Sequence, residues 1–455
     1  MSSQTRNQYI TGLCANIISI SYGAFVGWAS ASFVELQSAD ANGSEPLIGD
    51  DAGWIGSMLC VGGSFGTAFF SWSADKIGRK PCLLLLALPA LLGWLIVPFA
   101  KSSIHLAISR LMGGFSGGGT FSIIPIYTAE ISDDNVRGTV GTFLVLFCNV
   151  GVLVAFILGT YLSCRIVAWI LSTLPLAFLC GVLFVPESPQ YLTRKNDVKA
   201  AEKSLCFFRN ISYQNSETDP KIKLELQNLM EKRGDHTMEK SETNASLRDF
   251  AEPKARKALW IGIALMAINQ LCGCFVMLNY TATIFKNSGS TLPPNQSAIV
   301  VGVIQLVGTY VSTLLVERAG RKILLIVSVI GTGTGLLCLG LFMCLGDLTT
   351  GSWIPVACFS FIIFIGCWGV ITLPFVVVAE IMPPKVRNLG CMICMLSLWV
   401  YSFFLLKYMG LFSELIGMHG IMFFFSACSF IGAIFIGIFV PETKGKPIEE
   451  ILQSL

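Results

Sequence analysis

Apolar runs of roughly helix-spanning length recur along this chain, each closed by a short polar break. They lie near 10–34, 55–74, 82–100, 104–128, 138–162 and 166–185. After a polar stretch they resume near 258–285, 298–316, 323–345, 353–379, 389–412 and 420–440. About 20 apolar residues in a helix cross the hydrocarbon core of a bilayer. The pattern therefore predicts an all-α membrane protein of twelve transmembrane helices in two sets of six. Between the sets, residues 187–257 hold 14 bases and 12 acids and read as a short helical bundle outside the bilayer. The chain divides into an N-terminal half (1–186), this loop (187–257), a C-terminal half (258–441) and a tail (442–455). The first run follows a single base, Arg6, and is too long for a signal-peptide core, so it is read as a retained helix.

Composition narrows the class. Of 455 residues, 53% are hydrophobic and only 13% charged, about half the charge density of a soluble domain. A net charge of +3 with scattered bases does not suit a nucleic-acid partner. Most of the 16 cysteines sit within apolar runs, where cysteine acts as a small hydrophobe. The pairs Cys272/Cys274 and Cys391/Cys394 have no companion ligands at metal spacing, so neither a metal nor another cofactor is expected. Paired carboxylates, a nucleophile elbow and a metal cluster are all missing at membrane depth, which argues against an enzyme.

Orientation follows from the lysines and arginines. With the N-terminus inside, 26 of the 31 bases fall on the cytoplasmic side and five elsewhere (Lys101, Arg110, Arg165, Lys286 and Lys407). The first outer loop holds Glu35, Asp40, Glu45, Asp50 and Asp51 and no base. Both termini are thus expected in the cytoplasm, at the plasma membrane. The sequon Asn42-Gly43-Ser44 then faces outside and is the expected glycosylation site, with Asn295 a weaker acceptor near a helix start. Sequons at Asn210 and Asn244 fall in the inner loop and are chance matches.

The halves repeat each other. Asp75-Lys76-Ile77-Gly78-Arg79-Lys80 follows the second run and Glu317-Arg318-Ala319-Gly320-Arg321-Lys322 the eighth. Glu130 precedes Arg137 by seven residues, as Glu380 precedes Arg387. Pro186-Glu187-Ser188 closes the sixth run and Pro441-Glu442-Thr443 the twelfth. The offsets of 242, 250 and 255 residues are nearly constant. Tandem six-helix halves are the architecture of the major facilitator superfamily. The motifs resemble its sugar-porter branch: the two Gly-Arg-Lys turns, Pro125-x-Tyr127-x-x-Glu130, Gln270-Leu271-x-Gly273, Pro186-Glu187-Ser188-Pro189 and Pro441-Glu442-Thr443-Lys444-Gly445. The resemblance covers essentially the whole chain. Trp54-Ile55-Gly56-Ser57, Asn149-x-Gly151, and Trp399 with Lys407 eight residues on are similar to the insect facilitated trehalose transporters.

The resemblance implies a rim network of gating ion pairs: Arg79, Glu130, Arg137 and Glu187 in one half, and Arg321, Glu380, Arg387 and Glu442 in the other. Ordinary interfacial charges that only fix topology are the plainer reading of the same residues. Asn388 and Gln190 depart from the family pattern at this rim. A sugar site needs polar side chains at mid-membrane and aromatic faces for C–H surface. The candidates are Asn269, Gln270 and Tyr280 on one helix, with Asn149, Gln305, Thr372, Phe375 and Trp399 from others. Interhelical hydrogen bonding is the competing role for these polar groups. Compared with the sugar-porter pattern, Asn269 replaces a glutamine, Phe275 and Gln305 replace asparagines, and Ile371-Thr372-Leu373-Pro374-Phe375 replaces Gly-Pro-x-Pro-Trp. The glycine clusters 113–119 and 331–335 read as helix-packing surfaces.

Between Arg6 and Glu35 the chain has no charge, whereas proton-coupled sugar porters carry an acid in the first span. The expected activity is facilitative uniport of a sugar, hexose or trehalose, by alternating access, with the chain acting as a monomer. A non-transporting sugar sensor, a proton-coupled carrier and a polyol or organic-solute carrier are the alternatives. A sensor often has a long tail, and here a short one follows the last run.

Overall fold

The computed structural model describes residues 5–37, 47, 50–211, 222–231, 247–287, 293–345, 353–444, 446 and 450–451. Asn42 lies outside the described residues. Regular structure among them is entirely helical. The N-terminal set comprises α1 (Arg6–Leu36), α2 (Asp51–Ile77), α3 (Arg79–Ile96), α4 (Ser103–Ile131), α5 (Asp134–Tyr161), α6 (Cys164–Leu171) and α7 (Thr173–Leu183). Short helices follow: α8 (Pro189–Arg194), α9 (Val198–Arg209) and α10 (222–231). The C-terminal set is α11 (Pro253–Leu271), α12 (Cys274–Asn279), α13 (Thr281–Asn287), α14 (Pro294–Ala319), α15 (Arg321–Leu345), α16 (Ile354–Trp368), α17 (Leu373–Ile381) and α18 (Arg387–Phe439).

Ten segments of the described chain are long and apolar enough to cross a membrane. That number differs from the twelve apolar runs at two places. Helix α4 spans 29 residues but is diluted by Ser109, Ser116, Thr120 and the glycines at 113, 114 and 117–119, so its hydropathy is modest. Helix α18 joins the last two runs through Gly417, whose backbone (φ 70°, ψ 165°) is not helical.

The glycine-rich face of α4 explains why that helix tolerates so few large residues. A Cβ at Gly114 or Gly118 would collide with the carbonyls of Leu59 and Gly63 on α2. One at Gly62 or Gly66 would collide with Leu111 and Phe115 in return. Backbone contact at this range is how membrane helices gain dispersion energy without a hydrophobic driving force.

Two helix interruptions border the centre of the molecule. Helices α11 and α12 are separated at Gly273, which takes the left-handed region (φ 77°) that other residues rarely adopt. Helices α16 and α17 are separated by Gly369–Thr372. Backbone freed at membrane depth must be satisfied by protein. Asn269 does this, its Nδ2 donating to the carbonyls of Val370 at 2.6 Å and Ile371 at 3.4 Å.

One construction occurs twice at the end of the molecule that carries the Gly-Arg-Lys turns. Gly78 (φ 108°) lets the chain reverse between α2 and α3, and Gly320 (φ 91°) does so between α14 and α15. Glu187 accepts the backbone N–H groups of Arg79 (3.1 Å), Lys80 (3.0 Å) and Ser188 (2.8 Å). Glu442 accepts those of Arg321 (2.9 Å), Lys322 (3.1 Å) and Thr443 (3.1 Å). Each glutamate thus meets orphan donors and the positive end of a helix dipole. Lys80 and Lys322 donate to the carbonyls of Leu183 and Gly437, the corresponding helix C-termini.

Candidate functional site

A cavity of about 130 Å³ lies between the N-terminal and C-terminal sets. Of the candidates read from sequence, Asn149, Asn269, Gln270, Gln305, Phe375 and Trp399 line it. Tyr280 and Thr372 are placed elsewhere. The Tyr280 hydroxyl donates to the Leu406 carbonyl at 3.1 Å, beside Phe33. Thr372 precedes α17 and its hydroxyl donates to the Cys367 carbonyl. A helical face shared by Asn269, Gln270 and Tyr280 assumed a continuous helix, and the break at Gly273 resets the phase.

The four amides differ in what they leave free. Asn149 uses both ends: Nδ2 donates to Thr309 Oγ1 at 2.7 Å and Oδ1 accepts from Gln305 Nε2 at 2.9 Å. These bonds join α5 to α14. Asn269 uses both ends too, holding the α16–α17 break and accepting from Gln270 Nε2 at 2.8 Å. Gln270 and Gln305 each keep an Oε1 that is buried and without a partner. Leaving a buried acceptor unpaired costs about 1–3 kcal/mol. A ligand hydroxyl would supply the missing donor.

Aromatic side chains form the rest of the wall. Trp399 donates its indole N–H to Thr67 Oγ1 at 3.0 Å and packs its ring on Gly63, where a Cβ would overlap it. Tyr22 meets the edge of both Trp399 (6.4 Å between centroids) and Phe121 (5.4 Å). Phe121 and Phe375 lie nearly parallel across the two sets, 6.4 Å apart. Tyr22 and Phe121 carry no sequence signal, because an aromatic inside an apolar run looks like any core residue. Asp, Glu and His are not among the described residues that line the cavity.

At the Gly-Arg-Lys end, Arg79 is bidentate to Glu130, with Nε at 3.0 Å and Nη2 at 2.8 Å, and both side chains are nearly inaccessible. Ser188 Oγ also donates to Glu130, at 2.5 Å. Arg194 reaches Glu130 (3.5 Å) and Asp75 (3.6 Å). It sits one turn of α8 after Gln190. The equivalent pair, Arg321 and Glu380, has one contact at 3.3 Å and side chains 22% and 28% exposed. Glu380 Oε2, Arg321 Nε and Arg387 Nε are buried there without partners. Both glutamates thus bind the Gly-Arg-Lys arginine of their own half. Arg137 lies at the start of α5 and donates to the Ser132 carbonyl. Glu187 and Glu442 respond to burial differently. Desolvation lifts the Glu187 carboxyl above its ordinary value and outweighs its backbone donors. Burial also pushes Glu442 upward, but its four backbone N–H groups together hold it below the ordinary value.

The family model described as sugar (and other) transporter matches residues 9–455. The chain belongs to that family. Among curated relatives it is 31% identical to a facilitated trehalose transporter of Polypedilum vanderplanki, over 96% of this chain and 87% of that protein. It is 29% identical to one of Culex quinquefasciatus, over 99% and 86%. A third, from Drosophila mojavensis, is 29% identical, and the match spans about half (51%) of its length. In fold, the chain is similar to the xylose transporter XylE of E. coli in an inward open conformation. The TM-score is 0.79 at 20% identity, with 98% of this chain and 99% of that chain covered. A partially occluded inward open form of XylE gives 0.76, covering 96% and 100%.

In this sugar-transporter-family protein a second polar layer joins the two sets at the end away from the Gly-Arg-Lys turns. Lys407 pairs with Asp50, and its ammonium lies 4.1 Å from the centre of the Trp54 ring. The Ala282 N–H donates to Ser30 Oγ at 2.9 Å. Arg110, wholly buried, donates to the Phe25 carbonyl and to Asn279 Oδ1 (3.1 Å). The rim pairs Arg79–Glu130 and Arg321–Glu380 each stay within one set.

Proposed function

We propose that this chain is a facilitative carrier of a sugar, hexose or trehalose, that works by alternating access. The observation that carries the reading is the cavity between the two sets, with an unpartnered amide end on Gln270 and on Gln305. Relatives named facilitated trehalose transporters support the substrate class. In this reading the fold is twelve helices in two six-helix repeats, 1–186 and 258–441, joined by the 187–257 loop and followed by a 442–455 tail. The chain works as a monomer in the plasma membrane with both termini in the cytoplasm and Asn42 glycosylated outside. The ties at Asp50–Lys407, Ser30–Ala282 and Arg110–Asn279 then form the closed outer gate. The inner rim is closed in the opposite state by a network of Arg79, Glu130, Arg137, Glu187, Arg321, Glu380, Arg387 and Glu442. The substrate contacts Gln270, Gln305 and Trp399, while Asn149 and Asn269 hold the wall.

Uniport follows from the absence of charge in α1 between Arg6 and Glu35 and of acids in the described lining. A symporter needs a buried ionisable group that gains and loses a proton at mid-membrane. Purified protein in liposomes should give saturable sugar flux that equilibrates and never concentrates, unaffected by a protonophore. Accumulation driven by an imposed pH gradient would overturn uniport. Sugar binding with no flux would make the chain a sensor.

A further inference from the structure

The cavity offers few polar ends and many flat apolar faces, and this ratio bears on which sugar it holds. Asn149 and Asn269 have both amide ends occupied by protein, and the Trp399 indole N–H is held by Thr67. The amide atoms left with no partner at all are the Oε1 of Gln270 and that of Gln305. Phe121 and Phe375 line the same cavity, stacked across the two sets at 6.4 Å with 26° between their planes, and Tyr22 stands edge-on to Phe121. Phe275 adds a further apolar face beside Gln270.

A free disaccharide carries hydroxyls on every face. A site of this kind buries 70–90% or more of a drug-sized ligand. Hydroxyls turned to Phe121, Phe275 and Phe375 would lose water and gain no partner, and every 1.4 kcal/mol so lost is a factor of ten in affinity. A ligand with one hydroxylated edge and one flat apolar part loses nothing there. Its sugar edge meets Gln270 and Gln305, and its aromatic part lies against the ring pair, where stacked and edge-on contacts are both favourable.

We propose that the cavity prefers a sugar carrying an aromatic aglycone, an aryl glycoside, over the free sugar. The proposal rests on the sugar-carrier reading for the identity of the hydroxylated edge, and it makes Phe275, Phe121 and Phe375 the residues that set the preference.

The test is direct binding to the purified full chain, by calorimetry, of glucose, trehalose and phenyl β-glucoside, with flux of the same three measured in liposomes. Phenyl glucoside should bind at least about tenfold more tightly than either free sugar, 1.4 kcal/mol at 25 °C. Phe275→Asn should tighten glucose and reduce that ratio severalfold, while Phe275→Leu, which keeps the wall apolar, should not tighten glucose. Phe375→Leu should weaken phenyl glucoside more than glucose. Equal affinities in the unaltered protein, or a ratio that Phe375→Leu does not change, would overturn the proposal. Glucose flux with equal affinities would leave the carrier reading standing and remove this one. Tight phenyl glucoside binding with no flux of any sugar would remove the carrier reading and leave this one.

Discussion

A buried amide has a donor end and an acceptor end, and the partners of each decide whether it serves the wall or the ligand. On that measure Gln305 and Asn269 should behave differently when altered. Gln305→Leu removes an end that no protein group uses, and its bond to Asn149 is worth about 1 kcal/mol. Sugar affinity should fall by up to roughly tenfold, with a modest drop in melting temperature from the Asn149 acceptor left unpaired. Asn269→Leu frees the carbonyls of Val370 and Ile371 at membrane depth and should lower thermal stability markedly. Binding and melting measured on both variants check this, and equal effects would dissolve the distinction. The two glutamate caps give a second contrast. Glu442 is held below the ordinary carboxylate value, so its contribution is full above that value and fades as pH falls through the folded value. Glu187 is raised, so the protonated form fits the fold best, and stability falls as pH rises through its folded value. Melting curves from pH 3 to 8 should show the stability gap between wild type and Glu442→Gln widening as pH rises to the ordinary carboxylate value and staying level above it. The gap for Glu187→Gln should narrow. Gln270 and Trp399 are legible in the sequence through the motifs they resemble, Phe375 through the motif position at which it stands, and all three line the cavity. Tyr22 and Phe121 are not legible, because nothing in a sequence separates a lining aromatic from a core one. Arg194 is not legible either, because its contacts depend on where α8 points.

At the scale of elements, helix spans were readable wherever apolar length alone defined them. The exceptions have a physical cause. Helix α4 trades apolar bulk for glycine so that α2 can approach its backbone, which lowers its hydropathy while tightening its packing. The breaks at Gly273 and Gly369–Thr372 do not interrupt the apolar pattern, so periodicity counted across them loses phase. The glycine seam carries its own expectation. Gly114→Ala should destabilise by about 1–3 kcal/mol, because the new methyl meets the Leu59 carbonyl and neither helix can yield. Gly437→Ala, on α18 with open space around it, should be nearly neutral. Thermal melting in detergent compares the two, and a neutral Gly114→Ala would refute the close approach.

For the whole molecule, charge repeats and apolar runs pointed to two related halves, and the Glu187 and Glu442 caps have matching construction. Contacts between residues hundreds of positions apart, such as Asp50 with Lys407, leave no mark on the local sequence. If that contact belongs to a gate that must open, joining it covalently will stop the cycle. The double variant Asp50→Cys/Lys407→Cys, oxidised, should lose flux and regain it on reduction, while the reduced form transports. Flux unaffected by oxidation, with the cross-link verified by mass spectrometry, would show that the gate is elsewhere. Orientation is open to an equally simple check. Protease added outside intact cells should leave the 187–257 loop uncut, and cleavage there would invert the topology.

The bond from Asn269 to Val370 and Ile371 has a mechanical consequence. It ties the last turn of α11, just before Gly273, to the interruption at Gly369–Thr372. Moving one away from the other would break those bonds and strand peptide carbonyls in an apolar setting, at several kcal/mol. Gln270 donates to Asn269, so in the proposed site a ligand seated on Gln270 pulls on that tie, and α11 and α17 should respond together. Spin labels on these two helices should report one shared transition on sugar addition, and Asn269→Leu should split it into two.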